Sequence, residues 1–144
     1  MIDWKPTERQ TFALARTEFE ILYGGARGGG KTDAGMAFLL YNIYHPKFRA
    51  LVIRRNADDL KDWIDRATTF YLRVGGEKTG NPAEFRFPSG AIIRTGHLKD
   101  AAAYTKYMGH EYQNIVIEEL THIAREEDYM KLLASCRSTI PELR

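Results

Sequence analysis

At 144 residues the chain is long enough for one domain with its own core, and 21 basic against 19 acidic residues leave a formal charge of +2, so no global basic field announces nucleic acid. Any DNA contact must therefore be local. Cys136 is the only cysteine, which excludes an internal disulfide framework and suits a reducing cytosol; the start Met1-Ile2-Asp3-Trp4-Lys5-Pro6 lacks a secretory pattern, and no stretch is long and apolar enough to span a bilayer.

In chain order, Thr7 is suited to cap a first helix over residues 8–16, with Glu8, Arg9 and Gln10 in its first turn. The apolar run Phe19-Glu20-Ile21-Leu22-Tyr23 reads as strand one. It leads into Gly25-Ala26-Arg27-Gly28-Gly29-Gly30-Lys31-Thr32, which fits the phosphate-binding template GxxxxGK[ST] residue for residue. Glycines let backbone N–H groups converge on phosphate oxygens, and the helix expected over residues 33–44 adds the partial positive charge of its N-terminus. In such a loop Lys31 reaches the β- and γ-phosphates and Thr32 ligates magnesium, so the chemistry implied is that of a nucleoside triphosphate. Pro46 stops that helix, because the residue before a proline disfavours helical geometry.

Ala50-Leu51-Val52-Ile53 is the second strand, and Leu60, Trp63, Ile64, Ala67, Phe70 and Tyr71 then recur at helical spacing until Gly75-Gly76. Phe85-Arg86-Phe87 and Ala91-Ile92-Ile93-Arg94 flank Pro88-Ser89-Gly90 and predict a β-hairpin, inserted between core units. A short helix is expected over residues 101–108, ended by Gly109. Ile115-Val116-Ile117 is a β-branched strand ending in Glu118 and Glu119, and a last helix over residues 125–136 carries Tyr129, Leu132, Leu133 and Cys136 on one face. This order implies an α/β fold with a mainly parallel sheet covered by helices on both faces.

Ligands of parallel α/β sheets sit at the carboxyl ends of strands, so Glu118 and Glu119 are expected beside the loop that follows strand one. Glu118 would then hold the magnesium shell, and Glu119 would orient or deprotonate the attacking water. Arg27, inside the loop, is suited to neutralise charge developing on the γ-phosphate. The catalytic set is thus Glu119, Lys31 and Arg27, with Thr32 and Glu118 on the metal. Arg54 and Arg55 at the end of strand two have two readings, a contact to DNA phosphate or a neighbouring subunit's nucleotide, and a solvated edge. Arg66 and Arg73 share a helix with Lys61 and read as a soluble face rather than a DNA track. His122 has no second histidine or cysteine at ligand spacing to suggest zinc.

The chain resembles the amino-terminal ATPase domain of the large terminase subunit of tailed bacteriophages and prophages. The resemblance rests on Gly24 through Thr32 with its internal Arg27, on Val52-Ile53-Arg54-Arg55, and on Tyr112-Gln113-Asn114-Ile115-Val116-Ile117-Glu118-Glu119-Leu120-Thr121-His122. It implies a RecA-like (ASCE) P-loop NTPase, a three-layer sandwich that uses ATP and Mg2+ to drive double-stranded DNA into a capsid. It also implies a homo-oligomeric ring in the cytoplasm of the bacterial host, with the portal protein and the small terminase subunit as partners. One P-loop domain is expected over residues 1–144, without the nuclease domain that follows in the family and so without DNA cleavage. The chain ends soon after the acidic strand, so an incomplete sheet is expected.

Gln10 resembles the family's adenine-reading glutamine, whose amide both donates and accepts; the plainer alternative is an exposed helix residue. It is the only hint on ATP against GTP. Trp4 has the same double reading, a stack near the base or a buried aromatic. Thr121 is suited to hold the glutamate off the water until DNA binds, and Arg137 with Ser138 and Thr139 resembles the family's coupling motif. One departure is chemical: the family expects Asp then Glu where this chain has Glu118 then Glu119. The extra methylene shifts the metal-side carboxylate by about 1.5 Å, which matters to an octahedral magnesium shell. Two other functions stay open, a nucleotide-binding module without turnover and another RecA- or helicase-type ATPase.

Overall fold

The computed structural model of the protein describes residues 4–25, 30–98, 107, 109–123 and 125–143. Helix α1 (Glu8–Leu14) starts where Thr7 predicts, through a capping box: the Thr7 hydroxyl accepts from the Gln10 N–H and the Gln10 side chain accepts from the Thr7 N–H. Helix α2 (Lys31–Phe38) begins directly after Gly30 and tightens into a 3-10 turn over Leu39–Asn42. Strand β1 (Arg49–Arg54) and helix α3 (Ala57–Leu72) follow, with Asn56 at the helix N-cap. Strands β2 (Glu77–Thr79), β3 (Glu84–Arg86), β4 (Ile92–His97) and β5 (Asn114–Ile117) complete a five-stranded sheet, and α4 (Glu126–Leu133) follows it.

The strand order is β2-β3-β4-β1-β5. β1 pairs in parallel with β4 and with β5, whereas β2 with β3 and β3 with β4 are antiparallel. The sheet is therefore mixed, which corrects the expectation of a mainly parallel one. The hairpin is the reason. Its second arm, β4, lies at the middle of the sheet against β1, so the hairpin is a structural part of the core and not an insertion between core units. Phe85 pairs with Ile93 across it, and both side chains are fully buried.

A second correction concerns residues 19–23, read as strand one. They stay outside the sheet, with Phe19 70%, Leu22 80% and Ile21 41% exposed. Their alternation supplies β-propensity, but a strand also needs a ladder partner, and among the described residues none pairs with them. The short helix expected over residues 101–108 lies outside the described residues except for Tyr107.

The two faces of β1 build two cores, as its period of two requires. Ala50 and Val52 join Met36, Leu39, Phe48, Trp63, Ala67, Tyr71, Phe85, Phe87 and Ile93 beneath α2 and α3. Leu51 and Ile53 join Leu98, Tyr107, Tyr112 and Leu132 on the other face. Trp63, Tyr71 and Phe85 meet edge to face or tilted, with ring centroids 5.3 to 6.3 Å apart. Trp4, partly buried, joins this side through an edge contact with Phe70 at 5.9 Å. Among the described residues no helix is long and apolar enough to cross a membrane.

If the hairpin is core, Phe85→Ala should cost about 3–5 kcal/mol of unfolding free energy in urea titrations, the range for deleting a buried aromatic. A loss under about 1 kcal/mol would restore its status as a detachable insertion.

Candidate functional site

The parallel ladders put the carboxyl ends of β4, β1 and β5 on one side of the sheet. Ile53 is opposite Ile117, and the Glu118 N–H donates to Ile53 O at 2.9 Å, carrying the β1–β5 pairing one residue past the strand. This holds the acidic pair at the sheet's end. Glu119 then takes a left-handed backbone, φ 55°, and the chain turns into the 3-10 segment Leu120–His122. A non-glycine residue there is uncommon and aims the Glu118 and Glu119 side chains differently. Glu118 is 8% exposed, while the Glu119 side chain is 44% exposed.

Helix α2 brings the other half of the site. Thr32 Oγ1 donates to Glu118 Oε2 at 3.2 Å, joining residues 86 apart in sequence. Gly35 permits the approach: a Cβ there would lie 3.2 Å from Val116 Cγ1 and 3.4 Å from Glu118 Oε1. Sequence reading passed over Gly35, although a glycine inside a helix is itself the signal of a close neighbour. Lys31 Nζ donates to Gly25 O at 2.6 Å, folding the lysine back over the start of the glycine segment. Asp33, in the first turn of α2, pairs with Arg66 Nη2 at 2.7 Å and ties α3 to the same helix end. Arg66 makes this pair from the solvated face of α3 on which sequence placed it.

Arg54 is drawn inward, away from the solvated-edge reading. Its Nη1 donates to Asp59 O at 2.6 Å, its Nη2 lies 3.7 Å from Glu119 Oε1, and its side chain is 18% exposed. Burial pushes the Glu118 carboxyl above the ordinary carboxylate range, and the neighbouring Glu119 pushes the same way. The Arg54 guanidinium and the Thr32 hydroxyl oppose the shift without cancelling it. Only the tertiary fold reveals this charge arrangement, since residues 54, 32 and 118 come from three elements.

Gln10 is 3% exposed and is not the surface residue of the plainer reading. Its Nε2 donates to Gly30 O at 2.8 Å, and its Oε1 accepts from the Thr7 N–H at 2.8 Å. Arg9, which sequence reasoning did not single out, donates from Nη2 to Gly24 O at 2.9 Å. Thr139 binds the Glu111 carboxylate through its backbone N–H at 2.7 Å, and Arg137 N donates to Tyr112 O at 3.0 Å, fastening the chain end beside β5. Of the expected site residues, the fold thus gathers Gln10, Gly25, Gly30, Lys31, Thr32, Glu118 and Glu119 around the start of α2 and the end of β5. Ala26, Arg27, Gly28 and Gly29 lie outside the described residues.

The donor set suits magnesium: Thr32 and Glu118 present a hydroxyl and a carboxylate oxygen within hydrogen-bonding distance of each other, and both are hard oxygen ligands. Among the described residues no three His, Cys, Asp or Glu side chains gather into a cage.

A family model described as terminase large subunit, T4-like-virus type, N-terminal, matches residues 22–140. No curated protein and no solved structure matches the chain. The matched span includes Lys31, Thr32, Arg54, Glu118 and Glu119, and it begins after Arg9 and Gln10. The chain belongs to the terminase large subunit family, matching its N-terminal region of the T4-like-virus type.

Proposed function

We propose that this chain is an ATP-hydrolysing motor domain of a DNA-packaging terminase, turning ATP and water into ADP and phosphate and coupling that step to movement of double-stranded DNA into a capsid. The observation that carries the reading is the contact between Thr32 and Glu118, 3.2 Å apart across 86 residues of sequence. A hydroxyl that follows the loop lysine and an acid from the end of a parallel strand meet where a magnesium triphosphate needs both.

In this reading residues 25–32 receive the triphosphate, with Gly25, Ala26, Arg27, Gly28, Gly29 and Gly30 offering backbone N–H groups. Lys31 leaves Gly25 O to bind the β- and γ-phosphates, and Arg27 neutralises charge on the γ-phosphate. Thr32 and Glu118 would hold Mg2+, Glu118 directly or through water, and the ion would supply positive charge against that of the phosphates. Glu119 orients the water and accepts its proton. Arg54 Nη2 lies 3.7 Å from Glu119 Oε1, within ion-pair range of the same carboxylate. Double-stranded DNA, the portal protein, the small subunit and a homo-oligomeric ring belong to the same proposal, as does action in the host cytoplasm.

Glu119→Gln should keep nucleotide affinity and lower turnover by about 10²–10⁴, the range for losing a general base, in parallel calorimetry and phosphate-release assays. Tight magnesium-dependent binding with no turnover in the unmodified chain would instead support a binding module. Lys31→Ala should weaken ATP by at least about tenfold, since it removes a charge-assisted contact.

Glu118→Gln separates stability from function. Burial raises the folded carboxyl pKa above its unfolded value, so its contribution to folding is fully present at acid pH and fades as pH rises through the folded value. At pH 7.5 the carboxyl of the unfolded chain is ionised, whereas the folded site disfavours that charge. The glutamine form should therefore melt a few degrees higher in magnesium-free buffer at pH 7.5, lose that advantage on acidification, and bind magnesium ATP more weakly. A lower melting temperature at pH 7.5 would refute the charge argument.

A further inference from the structure

Gln10 and Arg9 hold the two flanks of the glycine segment from one helix. Arg9 Nη2 donates to Gly24 O at 2.9 Å on the entering side, with its guanidinium 5.6 Å from the Tyr23 ring centroid. Gln10 Nε2 donates to Gly30 O at 2.8 Å on the leaving side. The Gly30 carbonyl also accepts the Ala34 N–H at 3.0 Å, so the same oxygen that starts α2 is pinned by α1. Gly30 has φ 74° and ψ 19°, and a Cβ there would collide with Gln10 Nε2. The left-handed backbone favours glycine at this position, and a side chain here would also displace the Gln10 amide.

The orientation of the amide follows from its partners. Thr7 N can only donate and Gly30 O can only accept, so Oε1 must face the first and Nε2 the second. With the side chain 3% exposed, a base would have to break one of two short hydrogen bonds to be read by this amide. Gln10 also lies before residues 22–140, the span that matches the family.

We propose that Gln10 is a positioning residue for the phosphate loop, with Arg9 as its companion: α1 fixes the separation of the loop's two flanks, and so sets triphosphate affinity whatever the base. The inference rests on the nucleotide-site reading above and deepens it.

Gln10→Glu tests it well, because glutamate keeps the acceptor for Thr7 and hence the helix cap, while removing the donor to Gly30. Gln10→Met removes the donor without adding charge. In nucleotide-free protein, amide hydrogen exchange in peptides covering residues 24–32 should speed up in both variants, while residues 8–14 stay protected in Gln10→Glu. Affinities for ATP, GTP and inorganic tripolyphosphate should fall together, by about three- to tenfold, the effect of one hydrogen bond. Loss of ATP affinity with tripolyphosphate binding intact would overturn the proposal in favour of base reading, and unchanged exchange at residues 24–32 would overturn it outright. Faster exchange in a protein whose unmodified form binds none of the three ligands would uphold the latch and defeat the nucleotide-site reading instead.

Discussion

β1 sits between β4 and β5 in two parallel ladders, and the meeting of Arg54 with the acidic pair at the sheet's end is set by that placement. Parallel pairing sends the carboxyl ends of neighbouring strands to one side, so Arg54 and the Glu118–Glu119 pair arrive together without being close in sequence. The Glu118 N–H bonded to Ile53 O extends the ladder into the site itself. The acid is therefore held by sheet backbone before its own side chain makes any contact. The fully buried Ala50, Leu51, Val52 and Ile53 show what this arrangement demands: a strand covered on both faces, and apolar at every position.

Helix α2 completes the arrangement by coming close. Gly35 allows it to approach β5, Thr32 binds Glu118, and the Tyr71 hydroxyl deep in the aromatic cluster donates to Met36 O at 3.0 Å. The result is a carboxyl at odds with its surroundings. Burial raises the Glu118 pKa, and Arg54 and Thr32 lower it only in part.

Much was legible in the residues. Thr7 with Gln10 marked the first helix, the heptad-like spacing of Leu60, Trp63, Ala67 and Phe70 marked α3, and Pro88-Ser89-Gly90 marked the hairpin turn. Each signal is local: a cap, a period, a turn. The errors share another character. Residues 19–23 had the alternation of a strand, yet pairing depends on whether another edge is within reach, which no local pattern encodes. The hairpin was recognised but put at the periphery, because its parallel pairing with β1 joins segments some 40 residues apart, Ala50 with Ile93 among them.

The candidate site divides along the same line. Residue types and spacing alone named Lys31, Thr32, Glu118 and Glu119, since phosphate and magnesium chemistry demands those groups after a strand and at a helix start. What tertiary structure decided was who faces whom. Arg54 turned from a solvated edge to a partner of Glu119, Gln10 from an exposed helix residue to a buried tie on Gly30, and Arg66, still exposed, also pairs with Asp33. A sequence determines chemical capacity and local conformation because both depend on neighbours within a few residues. Burial, charge pairing and the direction of a side chain depend on segments far apart in the chain, and they exist only once β1, β5, α1 and α2 have packed.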